Sequence, residues 1–284
     1  MLTSVRSLMA ATVLAGTALV ATPAMAQEEG NPGVSVSGNV AIVTDYRFRG
    51  VGLSNGDFAV QGGIDLTTDP GFYVGIWGSS LANGNNSVTL DDGTGDLVDY
   101  DVGSFGATEL NFFGGWSGEI TPGLEVDVGA LYYYYPDATN RDALYGPVGV
   151  TGYPTFDGYS PYDTDIIEVY GSLGASVGPV GLTVGVAYAP KQDSLGGTDN
   201  LYLYTDAEIA IPNTPITLTG HVGYTDGALT YTANSQAWDY SVGASVTLLG
   251  GLSLGVAYIG VESDGFEIPG VTDDTVVGTL SFSF

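Results

Sequence analysis

Cysteine is absent from the 284 residues, which removes thiol catalysis, thiolate metal sites and a small disulfide-stapled scaffold from consideration. Basic residues are scarce: five Lys and Arg stand against 32 Asp and Glu, for a formal charge of −27. That balance leaves no basic patch for nucleic acid, which is not expected as a partner. Histidine occurs once, at His221, and neither a Ser/His pair nor an isolated carboxylate dyad stands out, so no enzymatic activity and no cofactor are expected. Beyond residue 26 no apolar run is long enough for a membrane helix, and no helix is expected in the rest of the chain.

What is present does not read as disorder, because the high net charge coexists with 44% hydrophobic and 11% aromatic residues. The 44 glycines lie singly among alternating apolar residues, as at Gly181, Gly185, Gly223 and Gly255. They mark strand positions where side chains must be small.

Residues 1–26 read as a secretory signal peptide. Arg6 precedes an apolar stretch from Leu8 to Ala21, and Ala24-Met25-Ala26 fits the small-x-small rule for cleavage after Ala26. Cleavage there removes one base and no acid, taking the formal charge to −28. Residues 27–33 form a short extension, and 34–284 carry the fold.

Over 34–284 the hydrophobic period is two. In Val180-Gly-Leu182-Thr-Val184-Gly-Val186-Ala-Tyr188 every large apolar residue falls on one face and small residues on the other. Leu252, Leu254, Val256 and Tyr258 repeat the phase, as do Ile216, Leu218, Val222 and Tyr224 opposite Thr217, Thr219 and His221. The spacing predicts twelve strands, near 34–48, 57–67, 72–81, 106–118, 124–135, 164–177, 180–189, 200–211, 216–225, 236–248, 251–261 and 273–284. Connections alternate between tight turns, such as Asp69-Pro70-Gly71 and Gly178-Pro179, and longer loops, the longest at 82–105 and 136–163. The expected fold is all-β, a transmembrane antiparallel up-and-down β-barrel with tight turns on the periplasmic rim and long loops outside.

The aromatic residues agree. Tyr134, Tyr188, Tyr224 and Tyr258 take the outward phase near the ends of strands rising to the long-loop rim, and Trp238 and Tyr240 begin a descending strand, as an interfacial girdle requires. The final strand places Val276, Leu280, Phe282 and Phe284 on one face. It is expected to pair with the strand beginning at Val34, because lipid tolerates no open edge. Phe282 and Phe284 resemble the C-terminal signal read by the barrel-assembly machinery, an expected partner together with outer-membrane lipid.

The stretch Asp45-Tyr-Arg47-Phe-Arg49-Gly50-Val51 resembles the opening of the TorF porin family of Gram-negative bacteria, as do Gln61-Gly-Gly-Ile-Asp65 and Gly71-Phe-Tyr-Val-Gly-Ile-Trp77. Gly114-Gly-Trp-Ser-Gly-Glu-Ile120, Tyr132 to Tyr135 before Pro136, Glu168-Val-Tyr170 and His221-Val-Gly-Tyr224-Thr-Asp-Gly227 extend the resemblance along the chain. It implies a channel in the cell outer membrane.

The inward phase collects Asp45, Arg47, Arg49, Gln61, Asp65, Glu109, Asn111, Glu125, Asp127, Glu168, Asp206, Glu208, His221 and Asp239. Acids dominate, and rings of carboxylates favour cations, so a narrow, weakly cation-preferring channel for ions or small solutes is expected. Asp45, Arg47 and Arg49 alternate along the first strand and so share a face, able to meet acids such as Asp65. They form either a constriction or an ion-pair network that holds the barrel's shape. Tyr133, Tyr135 and Tyr170 add inward bulk. His221 is expected to be a hydrogen-bonded wall residue. The acidic loop at 91–96 lacks the spacing of a calcium loop, so no metal site is assigned, and Asp273-Asp274 is read in the same way. The alternative function is a closed barrel acting as an adhesin or surface scaffold through its loops.

Overall fold

A computed structural model describes residues 33–82, 87–91, 97–101, 105–138, 164–232, 234–263 and 269–284. Its strands, in chain order, are β1 (Val34–Val43), β2 (Arg47–Phe48), β3 (Val51–Gly52), β4 (Ala59–Thr68), β5 (Phe72–Ser80), β6 (Ser87–Asp91), β7 (Leu97–Asp101), β8 (Thr108–Thr121), β9 (Leu124–Tyr134), β10 (Ile166–Val177), β11 (Val180–Ala189), β12 (Asn200–Ala210), β13 (Ile216–Gly227), β14 (Gln236–Leu249), β15 (Leu252–Val261) and β16 (Thr275–Ser283). Twelve of them close into one antiparallel barrel, β1-β4-β5 followed by β8 through β16, with β16 paired back onto β1. The strands β2 and β3 form a small separate hairpin, as do β6 and β7. The expected signal peptide and its cleavage site lie outside the described residues, as do 83–86, the acidic segment 92–96 and 102–104 of the loop 82–105, and most of the loop 136–163.

Alternation decides which way each side chain points. Along β11, Leu182, Val184, Val186 and Tyr188 face outward, with Val184 50% exposed, while Ala187 and Ala189 face inward and are sealed. The same sidedness recurs on β1, β4, β10, β13, β15 and β16, so large apolar residues coat the outside, while the inner face mixes polar and small residues with a few buried apolar ones such as Ile166, Ile259 and Val277. This inverts the arrangement of a water-soluble sheet.

Short turns gather on one rim. Gly71 and Gly178 adopt positive φ, +93° and +64°, which a side chain would resist in turns this tight. Inward glycines serve another purpose: Gly129 lies opposite Tyr170 and Gly185 opposite Tyr204, and each ring lies where a Cβ on its glycine would stand. The missing side chain lets the tyrosine lie flat along the wall.

All twelve expected wall strands are present, and eleven keep their expected ends to within three residues. The exception is the first. Rather than running to residue 48, β1 stops at Val43, where the Thr44 hydroxyl and backbone N–H bond Gly278 at 2.9 Å each. Residues 44–54 then leave the wall and fold into the lumen, while 55–58 lead back to the wall in exposed positions. Alternating side chains in 43–48 suit a short hairpin as well as a long strand, and Arg49 and Gly50, with φ of +50° and +78°, reverse the chain. The absence of any helix is also corrected: Asp193–Leu195 forms one 3-10 turn, closed by Gly196 in the left-handed region.

Candidate functional site: the lumen and its inner loop

The inner loop is fastened by Arg47, whose side chain is buried. Its Nε donates to Asp45 at 2.5 Å, and Nη1 donates to the carbonyls of Asp273 and Val271 at 2.8 and 3.1 Å. Nη2 reaches the Asp273 carboxylate at 3.1 Å. Asp45 in turn accepts the Ser54 hydroxyl at 2.8 Å and the Gly56 N–H at 3.1 Å. Main-chain bonds complete the attachment, from Gly52 to Val271 and from Ala82 to Leu53. One guanidinium thus satisfies a buried acid and ties the loop to the segment before β16, which makes its removal costly.

Arg49 points the other way, across the lumen. Its Nη2 donates to Glu168 on β10 at 2.7 Å, and its guanidinium carbon lies 4.1 Å from the Tyr202 ring centroid and 4.7 Å from that of Phe48. Tyr133 donates to the second Glu168 oxygen at 3.0 Å, so both carboxylate oxygens are engaged. A non-glycine residue in the left-handed region carries strain, which this cross-lumen grip offsets.

Around the loop the upper lumen is packed. Tyr46 donates to Glu109 at 3.2 Å, as does the Asn111 amide at 2.6 Å. Lower on the wall, toward the turns at Gly71 and Gly123, Tyr73 donates to Asp127 at 2.5 Å and its hydroxyl meets that of Tyr170 at 2.6 Å. His221 on β13 is gripped from both neighbouring strands, Nδ1 lying 2.5 Å from Asp206 and Nε2 2.9 Å from Asp239, with the Tyr202 hydroxyl 2.8 Å from Nε2. Only an imidazolium donates through both ring nitrogens at once, so full bridging places a positive charge between two acids. Tyr202 and Tyr204 stack on each other and on this imidazole. Toward the short-turn rim the lumen loosens, and the inward residues Asn39, Asp65, Glu125, Glu208 and Thr219 are partly exposed.

The expected inward residues fall as follows. Glu109, Glu168, Asp206, Glu208 and Asp65 lie on the inner wall. Asp45, Arg47 and Arg49 are inside too, but on the loop and not on a strand face. The expected meeting with Asp65 is corrected accordingly: Asp65 sits lower on β4, opposite Ser37, while Arg49 pairs with Glu168 and Arg47 with Asp45 and Asp273. Asp127 and Asp239, which the inward phase already contained, are members of these networks, whereas Asp273 and Tyr202 were not expected in them. The turn-forming Gly50 and Asn55-Gly56, both between the first two expected strands, were the available signal of the fold-in.

Outside, Tyr134, Tyr188, Tyr258, Trp238 and Tyr240 are exposed at the long-loop rim, and Tyr224 packs against Trp238 at 4.9 Å. Their hydroxyls meet rim acids: Tyr188 donates to Asp199 at 2.8 Å, and Tyr240 and Tyr258 donate to Asp274 at 2.9 and 2.6 Å. Tyr132 donates to Asp165 in the same way. Phe282 on β16 and Phe284 just beyond it face outward, and Phe284 exchanges two backbone bonds with Gly38.

Acids outnumber bases in the described lumen. Among the described residues, Glu109 Oε2, Asp127 Oδ2, Asp206 Oδ2 and Asp239 Oδ2 are buried without a hydrogen-bond partner, as is Nη1 of Arg49. Among the described residues no group of three or more His, Asp and Glu is arranged to hold a metal ion.

The profile of a bacterial family described as "Bacterial protein of unknown function (Gcw_chp)" matches residues 27–147 and 144–284. No curated protein matches the chain by sequence. Among solved structures, the NanC porin superposes with a TM-score of 0.51 at 8% identity, covering 88% of this chain and 99% of its own. The KdgM porin in complex with disordered oligogalacturonate gives 0.49 at 6% identity, covering 88% of this chain and 97% of its own. The likeness to NanC is one of fold.

Proposed function

This chain belongs to the Gcw_chp family of bacterial proteins, and we propose that it is an outer-membrane channel through which ions or small solutes diffuse passively. The observation that carries the reading is the inverted sidedness of the closed wall: Val184, Val222, Val242 and Val256 face out while Glu109, Asp127, Glu168 and Asp239 face in. In lipid such a wall leaves neither an unpaired strand edge nor a buried polar outer face. Export by the signal peptide at 1–26, cleavage after Ala26, and insertion by the barrel-assembly machinery through Phe282 and Phe284 belong to the same reading. So does the girdle of Tyr134, Tyr188, Tyr224, Trp238, Tyr240 and Tyr258 at the headgroup level of one leaflet.

The passage is narrow, because the inner loop and tyrosines fill the upper lumen, and it prefers cations weakly, because lumen carboxylates outnumber Arg47, Arg49 and His221. Refolded protein in a planar bilayer tests this. Discrete conductance steps and a reversal potential on the cation side of a salt gradient are expected, and absence of conductance overturns the channel.

The in-folded loop favours one other reading, a closed barrel that displays its outer loops as a surface scaffold. Deleting 136–163 separates the two: changed conductance supports the channel, and lost surface binding at unchanged conductance supports the scaffold.

A further inference from the structure

We infer that the lumen contains a recognition site for guanidinium-type organic cations, built from the Glu168 carboxylate and the face of Tyr202, which the chain's own Arg49 occupies. This names a solute class for the proposed channel and rests on that reading for its role in transport, though the site itself does not. Three features make it a cradle for a planar cation. Glu168 is sealed from solvent on β10 and its carboxylate is fixed by Tyr133 from the side opposite Arg49. Tyr202, on β12, turns its ring face to the charge at 4.1 Å and is itself held through its hydroxyl by His221 and Asp239. The cradle's parts therefore all belong to the wall and are positioned by wall residues, while the cation comes from a loop.

A carboxylate with an aromatic face is the chemistry that selects a delocalised, weakly hydrated cation over a small hydrated one. The occupant does not saturate the site. Arg49 uses Nη2 on Glu168, whereas Nη1 is buried without a partner among the described residues, in a conformation that costs backbone strain. A solute guanidinium, free of the loop's backbone, can turn both donors toward Glu168. A tethered occupant competes at an effective concentration in the millimolar range, so solutes displace Arg49 only when abundant.

The test uses ethylguanidinium and refolded full-length barrel, with folding checked by heat-modifiable gel migration. Calorimetry in detergent micelles is expected to find ethylguanidinium binding to Arg49→Ala about tenfold tighter than to wild type, and about tenfold tighter than to Arg49→Ala/Glu168→Gln. In bilayers Arg49→Ala is expected to conduct more than wild type, and ethylguanidinium to reduce that conductance. Equal binding by the three proteins, or none to Arg49→Ala, overturns the site. If Arg49→Ala does not fold, Arg49→Lys replaces it, since an ammonium lacks the planar fork and yields the cradle more readily; binding no tighter than wild type then overturns the proposal. Silence of every variant in bilayers with the calorimetric ranking intact overturns the channel and leaves the site.

Discussion

Arg47 and Asp273 are 226 positions apart in the chain and 3.1 Å apart in the lumen, and through this pair the inner loop is joined to the segment before β16, the strand that pairs with β1. Removing the guanidinium leaves Asp45 buried beside it without its cation, a situation that costs about 3–5 kcal/mol in buried pairs. Arg47→Ala is expected to melt at lower temperature in the heat-modifiable gel assay and to expose residues 44–54 to protease. Unchanged melting means that Asp45 finds another partner.

Sidedness is tested by one charge placed on each face. Val222 points outward and Thr219, three positions earlier on β13, points inward. Arg at a lipid-facing midplane position of a barrel costs about 2–4 kcal/mol. Val222→Arg is therefore expected to lose roughly that much in urea unfolding from lipid vesicles, and Thr219→Arg much less. Equal losses contradict the assignment of the outer face to lipid.

His221 places a donor between Asp206 and Asp239. In His221→Leu the two acids lose the group that separates and neutralises them, which raises the negative potential of the lumen. The reversal potential across a salt gradient is expected to move further to the cation side than in wild type. A move toward anions contradicts this account of the lumen field.

A side chain at Gly185 must displace the ring of Tyr204. Gly185→Val is expected to destabilise by about 1–3 kcal/mol, the usual range for overpacking. Adding Tyr204→Ala is expected to recover part of that loss, and a double-mutant cycle from urea unfolding measures the coupling. Strict additivity means that the ring and the glycine do not interact.

At the rim, outside the wall strands, the Tyr188 hydroxyl holds the Asp199 carboxyl below its ordinary value, with a backbone bond helping. A depressed folded value contributes stability above the unfolded value near 3.9 and loses it as pH falls through the folded value. In Tyr188→Phe the Asp199 titration, followed by carboxyl 13C shifts, is expected to move up toward the ordinary range. No movement means that the backbone bond alone sets it.

How far the sequence carries depends on what each interaction requires. The faces of Val184, Leu182 and Val186 follow from period two, and the same count puts Glu168, Asp206 and His221 inside without knowledge of any partner. Partners are another matter. Glu168 is a wall residue whose cation arrives from a loop 119 positions earlier, and nothing in local alternation encodes that crossing. Around Arg47 the local signal was ambiguous, since side chains alternate in a long strand and in a short hairpin alike. Gly50 and Asn55-Gly56 are turn residues that decide for the hairpin, but the burial of Asp45 and Arg47 depends on Val271 and Asp273, at the other end of the chain.

The seam between β1 and β16 also moors the inner loop. Until the last strand is in place, Thr44 has no Gly278 to bond, Gly52 has no Val271, and Arg47 has no Asp273. Some of the loop's moorings are thus made from the same stretch of chain that shuts the cylinder, while Ala82 and Glu168 hold it from elsewhere. Closing the seam and completing the loop's attachment draw on one set of residues.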